Sequence, residues 1–220
     1  MTLFQDRFMI RKFLHNNRLT LAIAFVTLVI LPLLAALVSS NDSTPVTPTA
    51  PVTIGVAYPR NYQQDFTRYA TVQRPDGTLR DLYINSIGLA AIRSYYNLPD
   101  GTVIVVEGYN ALKNAQGNPV TDAEGHYVKG EPLPSIHVRE KRGYWTADDF
   151  TSSARNEGWN FGSFDSVTGA IYNESLNACF LCHNTAPVDF TYSTQQMSDF
   201  AATGEAVYFM CRTTGRTACE

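Results

Sequence analysis

The longest hydrophobic segment of the chain lies near its N-terminus. Residues 19–41 carry no charge, and within 19–38 only Thr20 and Thr27 are polar. A helix of about 20 residues spans the ~30 Å hydrocarbon core of a bilayer. Basic residues precede the segment and no Lys or Arg follows it until Arg60. The pattern therefore predicts a transmembrane helix over 19–40, with residues 1–18 as a basic cytoplasmic N-terminus.

A cleavable signal peptide is the alternative interpretation of this segment. Such a peptide has an apolar region of about 7–15 residues and then a small-x-small cleavage site. The segment here is longer, and residues 38–40 (VSS) match such a site poorly. We favour a signal anchor, which gives a single-pass protein of the cytoplasmic (inner) membrane. Both interpretations place the rest of the chain in the periplasm or another extracytoplasmic space.

The residues after the predicted membrane helix have the composition of a tether. Residues 41–52 (NDSTPVTPTAPV) are dominated by Ser, Thr and Pro and have little apolar surface to bury. Such a segment forms a semi-rigid, extended linker. We therefore expect the folded domain to occupy residues 53–220.

The pattern in residues 53–220 changes repeatedly between short strand-like and helix-like segments. The run at 102–106 (TVIVV) is β-branched and apolar on both faces, as in a central strand that is covered on both sides. Pro-Asp-Gly turns at 75–77 and 99–101 separate elements. Strands are predicted at 79–84, 102–106 and 135–139, helices at 86–96, 177–183 and 193–202, and mixed helical character at 61–71. The fold class is α+β, mainly β, with an antiparallel sheet and short helices.

Charge excludes one class of function. The net charge of the 220 residues is −3, and the N-terminal 18 residues are basic, so the remainder is acidic. A nucleic-acid-binding domain needs a clustered basic face to displace phosphate counterions. No nucleic-acid partner is expected.

The chemistry-bearing motif is the CxxCH sequence at residues 179–183. Cys179, Cys182 and His183 stand at i, i+3 and i+4, which share one face of a helix. This spacing is the attachment signature of a c-type haem. The two thiols would form thioethers with the haem, and His183 would bind the iron. The cofactor prediction is one covalent haem c.

Two other uses of these cysteines remain open. A redox-active CxxC pair is one, although no strand–motif–helix of the thioredoxin type surrounds it. A zinc site is the other, with the ligands Cys179, Cys182, Cys211 and Cys219. That site would require four reduced thiols in an oxidising compartment. For Cys211 and Cys219 we instead predict a disulfide, worth about 2–3 kcal/mol by the chain-entropy argument.

The position of the motif separates this chain from small electron-transfer cytochromes c. In those proteins CxxCH lies near the start of the domain and a downstream methionine is the sixth ligand. Here most of the domain precedes the motif, and the methionines that follow it are Met197 and Met210. Each is more often a core residue than an iron ligand.

Several short segments, in this order, resemble the cytochrome P-460 and cytochrome c′-beta family. They are residues 58–62 (YPRNY), 100–105 (DGTVIV), 158–161 (GWNF), the CxxCH motif and 189–191 (DFT). The resemblance implies an exported, mostly β, usually dimeric protein with one haem c attached near the C-terminus.

The chain departs from this family at two functional positions. Hydroxylamine-oxidising members join a lysine to the haem ring, and Val106 occupies that place here. Their distal acidic group aligns near Leu133 or Pro134, and neither residue is acidic. Fallback candidates are Lys113 and Lys129 for the cross-link, and Glu107 and Glu131 for the acid.

These departures predict an apolar distal pocket that includes Val106 and Leu133. Such a pocket suits small uncharged diatomic ligands of the nitric oxide class, because distal polarity decides what haem iron binds. His137 is a further candidate as sixth ligand. The alternatives are an electron-transfer cytochrome, with a redox partner protein, and an oxidoreductase acting on hydroxylamine or nitric oxide, for which no catalytic residue is assigned. A homodimer or a subunit of a membrane complex is expected.

Overall fold

A computed structural model of the chain describes residues 55–92, 97–150 and 155–211. The predicted basic N-terminus, transmembrane helix and linker lie outside these residues. Within the described ranges, no helix is long and apolar enough to cross a membrane.

Five consecutive strands form an antiparallel meander. They are β1 (Thr67–Gln73), β2 (Thr78–Ile84), β3 (Val103–Ala111), β4 (Lys129–Lys141) and β5 (Trp159–Asp165). Each pairs with the next along the chain. Residues 104–108 of β3 are all buried, which confirms the prediction of a central strand covered on both faces.

The sixth strand corrects the prediction of a purely antiparallel sheet. Strand β6 (Val207–Met210) joins the far edge by pairing parallel to β1, which gives the order β5-β4-β3-β2-β1-β6. Strands β5 and β6 are therefore the two edges of a mixed sheet. The connection between them spans the width of the sheet, and it contains the CxxCH motif.

Four short α-helices accompany the sheet. They are α1 (Tyr62–Asp65), α2 (Ser86–Ala91), α3 (Asn177–His183) and α4 (Thr194–Thr203), and a 3-10 helix covers Ala147–Asp149. Asn85 caps the N-terminus of helix α2, and its side chain accepts a hydrogen bond from the Gly88 amide at 3.1 Å. Predicted helices at 177–183 and 193–202 are confirmed. The predicted helix at 86–96 ends at Ala91, and residues 93–96 lie outside the described ranges.

The helical character predicted over 61–71 is wrong beyond Asp65. Strand β1 begins at Thr67 because Tyr69, Ala70 and Val72 are completely buried in the sheet. Burial and ladder pairing outweigh local propensity there. The strands predicted at 79–84, 102–106 and 135–139 are confirmed, each within a longer strand, apart from Thr102 at the start of the second. The α+β, mainly β fold class is confirmed.

Each face of the sheet covers its own hydrophobic core. Ile104 and Val106 of β3 belong to the core that also contains Trp159, Phe161 and Phe180. Val105 belongs to the core on the opposite face, as alternation along a strand requires. Helices α3 and α4 lie over the first face, because Phe180 and Met197 pack into its core.

Candidate functional site

Helix α3 is fixed to the sheet by Phe180, which is fully buried. Its ring meets Phe161 of β5 edge-to-face, with centroids 4.7 Å apart. Its carbonyl accepts a hydrogen bond from the Asn156 side chain at 3.1 Å. These contacts fix the orientation of the helix, and therefore of the face that carries Cys179, Cys182 and His183.

Those three residues line one cavity of about 340 Å³ between α3 and the sheet. We call it the His183 cavity. Its sheet side includes Val106 of β3, His137 and Arg139 of β4 and Phe161 of β5. The structure therefore brings the whole CxxCH motif together with Val106.

The shortest polar contact of His183 favours one tautomer of its imidazole. His183 is 5% exposed, and its Nδ1 atom lies 2.7 Å from the carbonyl oxygen of Phe190. A carbonyl only accepts hydrogen bonds, so in the tautomer that makes this contact Nδ1 carries the hydrogen and donates it, and Arg139 Nη1, at 3.1 Å from Nδ1, is then a second donor beside it and not its hydrogen-bond partner. The lone pair then lies on Nε2, which is the nitrogen available to a metal. A bond of this kind to the second ring nitrogen is the usual way in which proteins orient a ligating histidine.

Arg139 approaches the same carbonyl. Its Nη1 atom donates to the Phe190 oxygen at 2.9 Å and lies 3.1 Å from His183 Nδ1. Arg139 is 2% exposed, and its guanidinium lies 4.8 Å from the centre of the Trp159 ring. A buried cation therefore stands directly beside the His183 imidazole.

The Phe190 carbonyl is presented by a strained segment. Asp189 and Phe190 have φ values of +46° and +54°, a conformation that costs a non-glycine residue roughly 1–3 kcal/mol. The Asp189 carboxylate holds the segment in place. It accepts hydrogen bonds from Lys141 Nζ at 2.6 Å, Trp159 Nε1 at 3.2 Å and the Leu98 amide at 2.8 Å.

The family model for Cytochrome P460 matches residues 59–193, which is more than half of the chain. The chain belongs to the cytochrome P460 family. It is therefore a haem protein, as the resemblance predicted. No match was found among curated proteins.

The residues of the His183 cavity fit the cofactor of the cytochrome P460 family. Nε2 of His183 bears a lone pair in the tautomer that donates to Phe190, and Cys179 and Cys182 line the same cavity. Arg74 and Arg80 line it as well, and their guanidinium groups match the carboxylates that a haem carries.

The cavity has both polar and apolar lining. Arg74, Asp76, Arg80, His137 and Glu174 line it together with Val106 and Phe161, and the apolar distal pocket stays a prediction. His137 Nε2 and Glu174 Oε1 are 2.8 Å apart. Burial opposes ionisation of Asp76, but hydrogen bonds from Thr78 and the charge of Arg74 outweigh it and keep the pKa of that carboxyl below its ordinary value.

Leu133 is not among the residues that line the cavity. Its side chain instead lies over Gly108, where a Cβ atom would come within 2.6 Å of it. The β3–β4 ladder is irregular between Glu107 and Tyr109, so positions counted along a regular strand are displaced at Leu133. Glu174 was missed because it lies in a polar loop with no local signal.

The fallback candidates for family functions also lie away from the cavity. Lys113, Lys129, Glu107 and Glu131 are absent from its described lining. Lys129 pairs with Asp81. Glu107 is buried and accepts hydrogen bonds from Gln63 Nε2 at 3.0 and 3.1 Å. Their positions give no support to the two fallback assignments.

The sulfur-containing residues Cys211, Met197 and Met210 are not in the described lining of the His183 cavity. Cys211 is disulfide-bonded, which leaves it unable to serve as a thiolate ligand in a four-cysteine zinc site. Its predicted partner Cys219 lies outside the described residues. Met197 is buried in the core and Met210 is 43% exposed on β6.

Proposed function

We propose that this member of the cytochrome P460 family carries one covalently attached haem c and binds small diatomic ligands of the nitric oxide class. One observation carries the proposal: of the two imidazoles among the described residues that line the cavity, His183 is the one that would hold the haem iron, through Nε2. Nε2 of the other imidazole, His137, is hydrogen-bonded to Glu174. That lining contains no methionine or lysine.

Covalent attachment is supported by the shared face of Cys179, Cys182 and His183. Cys179 and Cys182 lie at the spacing that c-type attachment uses. Once attached, the haem supplies an iron centre that binds a ligand or exchanges one electron. The chain's own residues supply the imidazole, a sheet wall at Val106 and hydrogen-bonding groups at His137 and Arg80.

The proposal includes export of the domain and a membrane anchor at residues 19–40. It is supported by the apolar run and by the distribution of basic residues around it. Anchoring would keep the haem domain close to a membrane-bound redox partner and raise the effective concentration of the two. Assembly as a homodimer, or as a subunit of a membrane complex, is part of the same proposal.

A second function is favoured by the pair formed by His137 and Glu174. An imidazole and a carboxylate 2.8 Å apart at the cavity wall are groups that can move a proton to or from a bound molecule. This arrangement would suit an oxidoreductase acting on hydroxylamine or nitric oxide. It would do so without the cross-linking lysine, whose aligned position holds Val106.

The test is expression of the full chain together with a cytochrome c maturation system. We expect haem that stays on the polypeptide after extraction with acidified acetone, and that is lost from the double variant Cys179→Ala/Cys182→Ala. Cys211→Ala is the control, because it removes a cysteine outside the cavity. A wild-type chain without haem would refute the proposal.

Absorption spectra of the loaded protein then separate the functions. A broad high-spin spectrum that shifts on adding nitric oxide supports the ligand-binding function. A sharp low-spin spectrum indifferent to the gas would mean a sixth protein ligand and favour electron transfer. Turnover of hydroxylamine that is lost in Glu174→Gln would favour the oxidoreductase.

A further inference from the structure

The residue that the proposed ligand set leaves unexplained is Arg139. It is an arginine with 2% exposure, on a strand that faces a hydrophobic core. Its cross-strand partners are Ile104 and Phe161, both apolar. A buried guanidinium needs hydrogen-bond partners, and one partner of Arg139 is the Phe190 carbonyl, which places the guanidinium directly beside His183.

Arg139 and His183 share one acceptor. The Phe190 carbonyl receives Nη1–H of Arg139 at 2.9 Å and Nδ1–H of His183 at 2.7 Å. Two donors at one carbonyl weaken each other, and the charged donor is the stronger. The hydrogen bond from Nδ1–H to the carbonyl is therefore weaker than it would be without Arg139. As a result the imidazole has less anionic character, and Nε2 is a weaker electron donor to iron.

The charge of Arg139 acts in the same direction. Nη1 lies 3.1 Å from His183 Nδ1, and both residues are buried, where charges are poorly screened. A neighbouring cation disfavours the more positive of two oxidation states. Iron(III) carries one more positive charge than iron(II), so this cation favours the reduced form.

The surrounding structure keeps the arrangement rigid. Asp189, bonded to Lys141, Trp159 and the Leu98 amide, holds the strained segment that presents the Phe190 carbonyl. The Trp159 ring also lies against the Arg139 guanidinium. These contacts hold the acceptor oxygen and the Arg139 guanidinium in place.

We propose that Arg139 is a positioning residue that raises the reduction potential of the haem and weakens the bond from His183 to the iron. This rests on the proposed function, because it requires His183 to be the axial ligand. The effect of Arg139 on the haem does not depend on which ligand or partner the protein uses.

The test compares the haem-loaded full chain with Arg139→Gln and Arg139→Met. Both variants remove the charge, and the apolar Met variant carries the test if Gln disturbs folding, since apolar replacements of buried ions are often tolerated. At the potential where the wild type is half reduced, we expect the ratio of reduced to oxidised protein to be about tenfold lower in both variants. This corresponds to a fall of about 59 mV in reduction potential for one electron.

Two controls isolate the cause. Arg139→Lys keeps the charge and should keep most of the potential, whereas Arg142→Gln removes a charge that is paired with Glu140 and should change little. Resonance Raman spectra should show a higher iron–histidine stretching frequency in Arg139→Gln and Arg139→Met than in the wild type. A purely structural role of Arg139 would leave this frequency unchanged.

The outcomes separate this inference from the proposed function. A wild type that takes up no haem refutes the proposed function. Loaded Arg139→Gln and Arg139→Met with the potential and stretching frequency of the wild type refute the role of Arg139 alone. A fall in potential as large in Arg139→Lys as in Arg139→Gln would refute the effect of charge.

Discussion

Val106 and His137 are direct cross-strand partners on β3 and β4, and both line the His183 cavity. An apolar and a polar residue thus stand side by side on the wall that the haem of this family would face. In the proposed function, the size of Val106 would limit the space for a ligand, and His137 would offer a hydrogen bond to it. The two contributions are separable by mutation.

Replacing Val106 with Phe should slow the binding of carbon monoxide and nitric oxide. The larger ring would occupy part of the cavity through which the ligand reaches the iron, and so raise the free-energy barrier to association. Since about 1.4 kcal/mol is a factor of ten in rate, we expect association to slow roughly tenfold or more in flash photolysis. Val103→Phe makes the same change on the same strand, where the side chain packs against the other core. Equal rates in the wild type and Val106→Phe would contradict the assignment.

His137→Ala should raise the stretching frequency of carbon monoxide bound to the reduced protein. This frequency, measured by infrared spectroscopy, falls when a polar group lies close to the ligand oxygen. The matched control is His126→Ala, because His126 pairs with Asp122 and stacks on Tyr208, away from the cavity. If both variants gave the wild-type frequency, His137 would not contact the ligand.

Asp189→Ala should be strongly destabilising. The substitution leaves the Lys141 ammonium, whose side chain is 14% exposed, the Trp159 Nε1–H and the Leu98 amide without their acceptor. Loss of one partner of a buried pair costs about 3–5 kcal/mol in the free energy of unfolding. Denaturant titration would measure this value. Asp199→Ala removes an exposed hydrogen bond to Gln195 and should stay within about 0.5 kcal/mol of the wild type.

The protein should lose stability in alkali, because three tyrosines surround Glu107. Burial, reinforced by the charge and hydrogen bonding of Glu107, raises the pKa of Tyr62, Tyr83 and Tyr109 above the ordinary value of 10.0. Phenols that stay protonated in the folded state but ionise when unfolded stabilise the fold below pH 10. Their contribution is lost as pH rises above 10, by up to about 1.4 kcal/mol per pH unit for each tyrosine.

Unfolding free energies between pH 8 and 11.5, with phenolate absorbance as the second signal, would measure this effect. Tyr109→Phe should reduce the slope of unfolding free energy against pH by the equivalent of about one proton released on unfolding. Tyr144→Phe, at a residue that is 75% exposed, should leave it unchanged. A wild-type stability that is flat through pH 10–11 would show that the cluster ionises in the folded state.

Local patterns in the sequence determined much of the fold. The apolar run at 102–106 predicted β3, and the i, i+3, i+4 spacing of Cys179, Cys182 and His183 predicted their common helical face. These features depend on residues within one turn or one strand. The segments at 158–161 and 189–191 also marked the family, and the structure places both beside His183 through Phe161 and Phe190.

The polarity of the cavity and the surroundings of His183 were decided only by tertiary structure. Arg139 and His183 are 44 residues apart, and His137 and Glu174 are 37 apart. Strand register determines which face each side chain takes, and a shift of one residue moves it to the opposite face. The irregular β3–β4 ladder therefore keeps Leu133 out of the cavity, while β4 places His137 and Arg139 in it. The parallel pairing of β6 likewise depends on the long connection that carries the CxxCH helix across the sheet, because only such a crossover returns the chain in the same direction.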